Sequence, residues 1–117
     1  DHVVKYTTSL HQALTYRLSG DRNPLHSDPT FAARGGFERP ILHGLCTYGF
    51  TGRGLLQGLC NNDASAFQHI EGRFASPVIP GEELTISMWE TGTGEAVFTT
   101  AVGSRLVIDQ GLCRFRP

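Results

Sequence analysis

Cysteine is scarce in this chain and never paired in sequence: Cys46, Cys60 and Cys113 are odd in number, far apart and free of any CxxC spacing. That excludes a disulfide framework and is what buried thiols in a reducing compartment look like. Long apolar runs are also missing, since no stretch approaches the roughly 20 residues a membrane helix requires, so no membrane partner is expected. Charge of one sign is lacking as well. Ten Lys and Arg against eleven Asp and Glu leave a formal net charge of −1, with the basic residues scattered. Such a field offers little to a phosphate backbone, and no nucleic-acid partner is expected. The chain begins at Asp1 without a methionine or a charged-then-apolar leader, and Phe115-Arg116-Pro117 is not a peroxisomal tripeptide. Cytoplasm is the expected location, and the missing methionine makes a longer parent chain the expectation.

What is present is one domain's worth of sequence, residues 1–117, with 39% hydrophobic and 18% charged residues, no internal repeat and no low-complexity tract. Val3 to Thr8, rich in β-branched residues, predicts an edge strand. Ser9 is placed to cap a helix through Leu10, Ala13, Leu14 and Leu18, with Gly20 as its stop. Asp28-Pro29 marks a second, short helix ending at Gly35-Gly36. From Gly44 to Leu59 the apolar residues are distributed around several faces, as in a helix surrounded by protein. Its glycines at 44, 49, 52, 54 and 58 each cost about 1 kcal/mol against alanine, which is tolerable where another backbone approaches closely. Asn61-Asn62-Asp63 reads as a turn.

Beyond Phe67 the period changes to two. Ile70, Gly72 and Phe74 alternate with Glu71 and Arg73, and Leu84, Ile86 and Met88 with Thr85 and Ser87. Thr91-Gly92-Thr93-Gly94 supplies a hairpin and Glu95 to Val102 a further strand, and Leu106–Ile108 and Leu112–Phe115 complete the meander, with Asp109-Gln110-Gly111 as a turn or bulge between them. Helices first and an antiparallel meander of about four strands after make an α+β domain, with a sheet wrapped around the long helix. That helix needs a cover on the side away from the sheet, so a second copy or second half is expected.

Chemistry concentrates between Leu18 and Gly44. Asp21, Asn23 and His26 lie within six residues, and Pro24 keeps that stretch from forming helix. A carboxylate and an imidazole converging on one volume can hold and activate a water, with an amide to orient it. Asp, Asn and Pro are also turn formers and His26 could be structural, so spacing alone leaves both readings open. Neither Ser19 nor Ser27 has the setting of a nucleophile elbow. Gly44 would present one of the unpaired amides of a helix's first turn to an oxygen gathering negative charge, or would be a packing glycine. His43 and Cys46 have helical spacing but make only two ligands, and no metal is expected.

The run Tyr16-Arg17-Leu18-Ser19-Gly20-Asp21-Arg22-Asn23-Pro24-Leu25-His26-Ser27-Asp28-Pro29, followed by Gly36-Phe37-Glu38-Arg39-Pro40-Ile41-Leu42-His43-Gly44, closely resembles the MaoC-like family, specifically (R)-specific enoyl-CoA hydratase, or hydratase 2. The similarity continues through Arg73-Phe74-Ala75-Ser76-Pro77-Val78-Ile79-Pro80-Gly81. The resemblance implies a hot-dog fold and reversible hydration of trans-2-enoyl-CoA to (3R)-3-hydroxyacyl-CoA. It assigns Asp21 and His26 to the catalytic pair, Asn23 to the supporting amide and Gly44 to the oxyanion amide. No cofactor is implied, because coenzyme A belongs to the substrate. Arg34, Arg39 and Arg73 are the candidate cations for the CoA phosphates. The resemblance also implies pairing, as a homodimer or with a second hot-dog half, because double-hot-dog members carry the catalytic motif in their C-terminal half. Related readings are a hydroxyacyl-ACP or hydroxyacyl-CoA dehydratase, a hot-dog thioesterase, and a non-catalytic acyl-CoA-binding half.

Overall fold

In the computed structural model, which describes residues 1–19, 23–37 and 39–117, a five-stranded antiparallel sheet wraps one long helix. In chain order come β1 (His2–Thr7), α1 (Gln12–Tyr16), α2 (Pro29–Arg34), α3 (Gly44–Leu59), β2 (Phe67–Phe74), β3 (Glu83–Gly92), β4 (Glu95–Val102) and β5 (Arg105–Phe115). The sheet order is β1-β3-β4-β5-β2, with every neighbouring pair antiparallel. This is the hot-dog arrangement that the resemblance implies.

The core forms where the two-residue period of the strands meets the helix. Leu84, Ile86 and Met88 alternate inward along β3, Ala96, Phe98 and Thr100 along β4, and all six are buried around Leu55 of α3. Burying a side chain the size of Leu84, Ile86, Met88 or Phe98 stabilises the fold by about 1.5–3 kcal/mol. The three thiols are free and buried.

Several expectations are corrected. The first helix is five residues long and gives way to a 3-10 turn at Arg17–Ser19, instead of running from Ser9 to Gly20, and Gly20 itself lies outside the described residues. Ser9 makes a turn of its own: its Oγ accepts from the His11 amide (3.1 Å) and its carbonyl from the Gln12 amide (3.0 Å). Of the apolar stripe only Ala13 is buried, while Leu10, Leu14 and Leu18 remain exposed.

β2 does not continue into β3 as a meander would. It pairs with β5 at the far edge, because residues 75–82 carry the chain across to the other side of the sheet. Its alternation is broken by two register shifts, and Phe74 is 55% exposed. The segments 106–108 and 112–115 are one strand whose bulge is taken up by Gln110 at φ +52°.

The helix glycines divide by face. A Cβ on Gly54 or Gly58 would meet the side chains of Ile86 or Met88 on β3, as close approach requires, although side chains rather than backbone do the approaching. At Gly49 and Gly52 a Cβ would meet nothing within 4 Å, because they face away from the sheet.

Candidate active site

His26 stands at the end of a short 3-10 turn, Pro24–His26, that Asn23 organises. The Asn23 side-chain oxygen accepts from the Leu25 amide (3.0 Å) and its carbonyl from the His26 amide (3.1 Å). That is an Asx turn, the local use that keeps asparagine out of helices. Asp28 then caps α2, accepting from the Thr30 (2.9 Å) and Phe31 (3.4 Å) amides, with Pro29 at the first helical position as the sequence predicts.

The turn is docked on the segment that leads into α3. The Ile41 amide donates to the Leu25 carbonyl (3.3 Å), and His26 Nδ1 lies 2.9 Å from the Ile41 carbonyl oxygen. A carbonyl only accepts, so Nδ1 carries the proton and Nε2 is left as the nitrogen that takes up or gives one. The His26 ring is stacked on the buried His43 ring, centroids 3.8 Å apart and planes 23° apart, and Tyr16 touches His43 in turn at 4.7 Å.

Gly44 is the first residue of α3, so its amide is one of those that the helix leaves unpaired. His26 and Gly44 line the same cavity, of about 310 Å³, whose other walls include Leu42, Thr47, Phe74, Ser76 and Val78. The reason for glycine is close approach: a Cβ at 44 would stand 3.2 Å from the Phe74 ring. On its other side His26 borders a second cavity of about 210 Å³, between Leu10 and Leu14 on one side and Arg39, Ile79 and Pro80 on the other. Leu10, Arg39, Ile79 and Pro80 also wall a third, wider one of about 550 Å³.

These walls are held from several directions. The Leu42 amide donates to the Val78 carbonyl (2.7 Å), the Thr8 hydroxyl donates to the Glu82 carbonyl (2.9 Å), and the Gly81 amide donates to the Thr8 hydroxyl (2.8 Å). The Glu82 carboxylate accepts from the Ile79 amide and from Arg105, both at 2.7 Å.

Of the site residues expected from the sequence, His26 and Gly44 therefore meet across one cavity. Asn23 is exposed, with its oxygen committed to the turn. Asp21 lies outside the described residues. Among the three arginines, Arg39 walls the second and third cavities, whereas Arg34 is in the last turn of α2 and lines none of the three. Arg73 donates from Nε (2.9 Å) and a terminal nitrogen (2.7 Å) to both oxygens of Asp109, and that guanidinium holds the Asp109 carboxyl below its ordinary range. Burial pushes the Cys46 thiol up, and it pushes the Tyr48 phenol up beside Glu71, so both groups stay protonated near neutral pH. Among the described residues no three of His, Cys, Asp and Glu gather as metal ligands.

Thr47, Phe74, Ser76 and the stacked His43 were not singled out as wall or support residues by the sequence. Their positions arise from the start of α3 on one side and from the end of β2 with the 75–82 crossing on the other, which are far apart in the chain. An imidazole with one free nitrogen and a helix-end amide in one cavity can move a proton while negative charge accumulates on a nearby carbonyl oxygen.

Residues 1–111 match the family model described as "MaoC like domain". The chain belongs to the MaoC-like family. It is 58% identical over 92 residues to the peroxisomal multifunctional enzyme type 2 of Mus musculus, covering 79% of this chain and 12% of the mouse protein. It is 50% identical over 103 residues to the peroxisomal enoyl-CoA hydratase 2 of Arabidopsis thaliana, covering 88% of this chain and 33% of that one. The crystal structure of a MaoC-like dehydratase from Phytophthora capsici superposes with a TM-score of 0.95 at 42% identity, over 98% of this chain and 40% of that chain. The MaoC-like chain thus spans less than half the length of each of these relatives.

Proposed function

We propose that this domain adds water to trans-2-enoyl-CoA to give (3R)-3-hydroxyacyl-CoA, and runs the same step in reverse as a dehydratase. The observation that carries the reading is the single cavity shared by His26, whose Nδ1 is committed to a carbonyl, and the opening amide of α3 at Gly44. In hydration, the hydroxyl of water bonds to C3, a proton is delivered to C2, and the C2–C3 double bond becomes single. Asp21 and His26 divide those two proton transfers, and the Gly44 amide receives the charge that passes onto the thioester oxygen. One such donor contributes about 3 kcal/mol to the transition state. Thr47 and Ser76 are the remaining hydroxyl-bearing walls of the cavity.

The CoA arm is assigned to the side of His26 where Arg39 stands, along the second and third cavities. The domain is further proposed to work paired, with a second copy or a second hot-dog half laid over the face of α3 that the sheet leaves bare. Support for this is the groove of about 350 Å³ lined by Tyr16, Leu45, Cys46, Gly49, Phe50 and Arg53, with Leu45 65% exposed. The peroxisome is the rival to the cytoplasmic location expected above, since the mouse and Arabidopsis relatives both carry that name.

The experiment follows the ultraviolet absorbance of a conjugated enoyl-CoA, which falls as the double bond is hydrated. Asp21→Asn and His26→Ala are each expected to remove most of that fall while the circular dichroism stays unchanged. Wild-type turnover in both variants would refute the assignment, and release of free thiol in place of absorbance loss would make the domain a thioesterase. Light scattering across a concentration series reads the pairing: a monomer that hydrates its substrate at full rate would remove the need for a second half.

A further inference from the structure

His26 is fixed by more than its hydrogen bond. A single bond from Nδ1 to the Ile41 carbonyl still lets an imidazole swing about its Cβ–Cγ axis, where the torsional wells are broad. The His43 ring, stacked 3.8 Å away with the planes 23° apart, closes off that swing. His43 is 1% exposed, so its own ring is held on every side by packing. Its place in the chain matters equally. Ile41 holds the edge of the His26 ring, His43 holds its face, and Gly44, the next residue, opens α3 on the shared cavity. Four consecutive residues, tied to the crossing loop through the Leu42 amide, fix both partners of the proposed reaction.

We infer that His43 is a positioning residue: its flat ring sets the plane in which His26 presents Nε2, and its backbone sets the Gly44 amide against it. This rests on the hydratase reading for its kinetic consequence but not for its structural one. Two substitutions separate ring shape from bulk. His43→Phe keeps a stackable plane, and His43→Leu keeps an apolar filling without one. Each is followed by thermal melting, by steady-state hydration of an enoyl-CoA, and by nitrogen-15 NMR of the His26 ring, which reports whether Nδ1 holds its proton.

The Phe variant is expected to keep the Nδ1–H signal and kcat within about fivefold of wild type, while the Leu variant loses the signal and about 100-fold in kcat with KM little changed, as a misplaced reacting group does. Equal losses in both variants, or a loss confined to KM, would overturn the inference. If the wild-type protein hydrates nothing, the functional reading fails by itself. The NMR comparison still decides: an unaltered Nδ1–H signal in the Leu variant would mean that His43 positions nothing. Should His43→Leu not fold, His43→Met fills the same volume without a plane and takes its place.

Discussion

At the scale of single residues, two side chains can be separated from their surroundings by substitution. Gly44 lacks a positive φ, so alanine is acceptable to the backbone there. What it meets is the Phe74 ring at 3.2 Å, an exposed ring with room to give. Gly44→Ala is therefore expected to melt within a few degrees of wild type while losing about 10–100-fold in kcat, because the new methyl stands where the thioester oxygen must approach the amide. Full activity in that variant would detach Gly44 from the chemistry. Arg39 borders the cavities assigned to the CoA arm, so Arg39→Ala should raise KM for an enoyl-CoA about tenfold and leave KM for the pantetheine thioester, which lacks the nucleotide phosphates, unchanged. An equal rise for both would assign Arg39 to the loop rather than the ligand. That His26 sits in a turn was legible from Pro24, whereas its chemical role came from the family resemblance, because the spacing alone left a structural histidine equally open. Asn23 was legible as a turn former, and its oxygen is used in that way. Phe74 and Thr47 were not legible, since neither carries a local signal and only the fold brings them to one wall.

At the scale of elements, α3 is held to the sheet by apolar packing and by a buried polar link. Thr51 Oγ1 lies 2.7 Å from Thr100 Oγ1 on β4 and 3.1 Å from the Thr47 carbonyl, and both threonines are fully buried. The carbonyl can only accept, so Thr51 donates to it and Thr100 donates to Thr51. Thr51→Val strands the Thr100 hydroxyl and is expected to cost about 1–3 kcal/mol in urea unfolding, whereas Thr51→Val with Thr100→Val removes both groups and should recover most of that loss. A double variant as unstable as the sum of the singles would show that the pair does not act as a unit. The helix, the hairpin at Thr93-Gly94 and the strand interiors were readable because each depends on neighbours a few residues away. The position of β2 was not readable: its partner, β5, begins some thirty residues later, and nothing in its own alternation names that partner. The first helix failed for a related reason. The leucine stripe at 10, 14 and 18 does not sit in the core; Leu10 and Leu14 face cavities open to solvent, and the apolar spacing cannot tell those destinations apart.

At the scale of the whole molecule, the three free thiols couple global stability to alkaline pH. Burial pushes Cys113 up from an ordinary 9.0 to about 11, with Cys60 nearby adding to the effect, and burial raises Cys46 and Cys60 in the same direction. In the unfolded chain these groups ionise near their ordinary value. Below that pH both states hold the proton, so the thiols exert no pH dependence. Above it the unfolded chain releases protons that the folded one retains, which favours unfolding until the folded thiol ionises too. The midpoint of urea unfolding is thus expected to fall between about pH 9 and about pH 11. In Cys113→Ala the fall should be shallower, though still present because Cys46 and Cys60 contribute in the same direction. Parallel pH profiles for the two proteins would show that Cys113 is not held in its neutral form by the fold. The same burial predicts that alkylation of Cys113, which is fully buried, waits at neutral pH on opening of the sheet around α3, so its labelling rate should track the unfolding equilibrium as denaturant is raised, not the intrinsic reactivity of a free thiol.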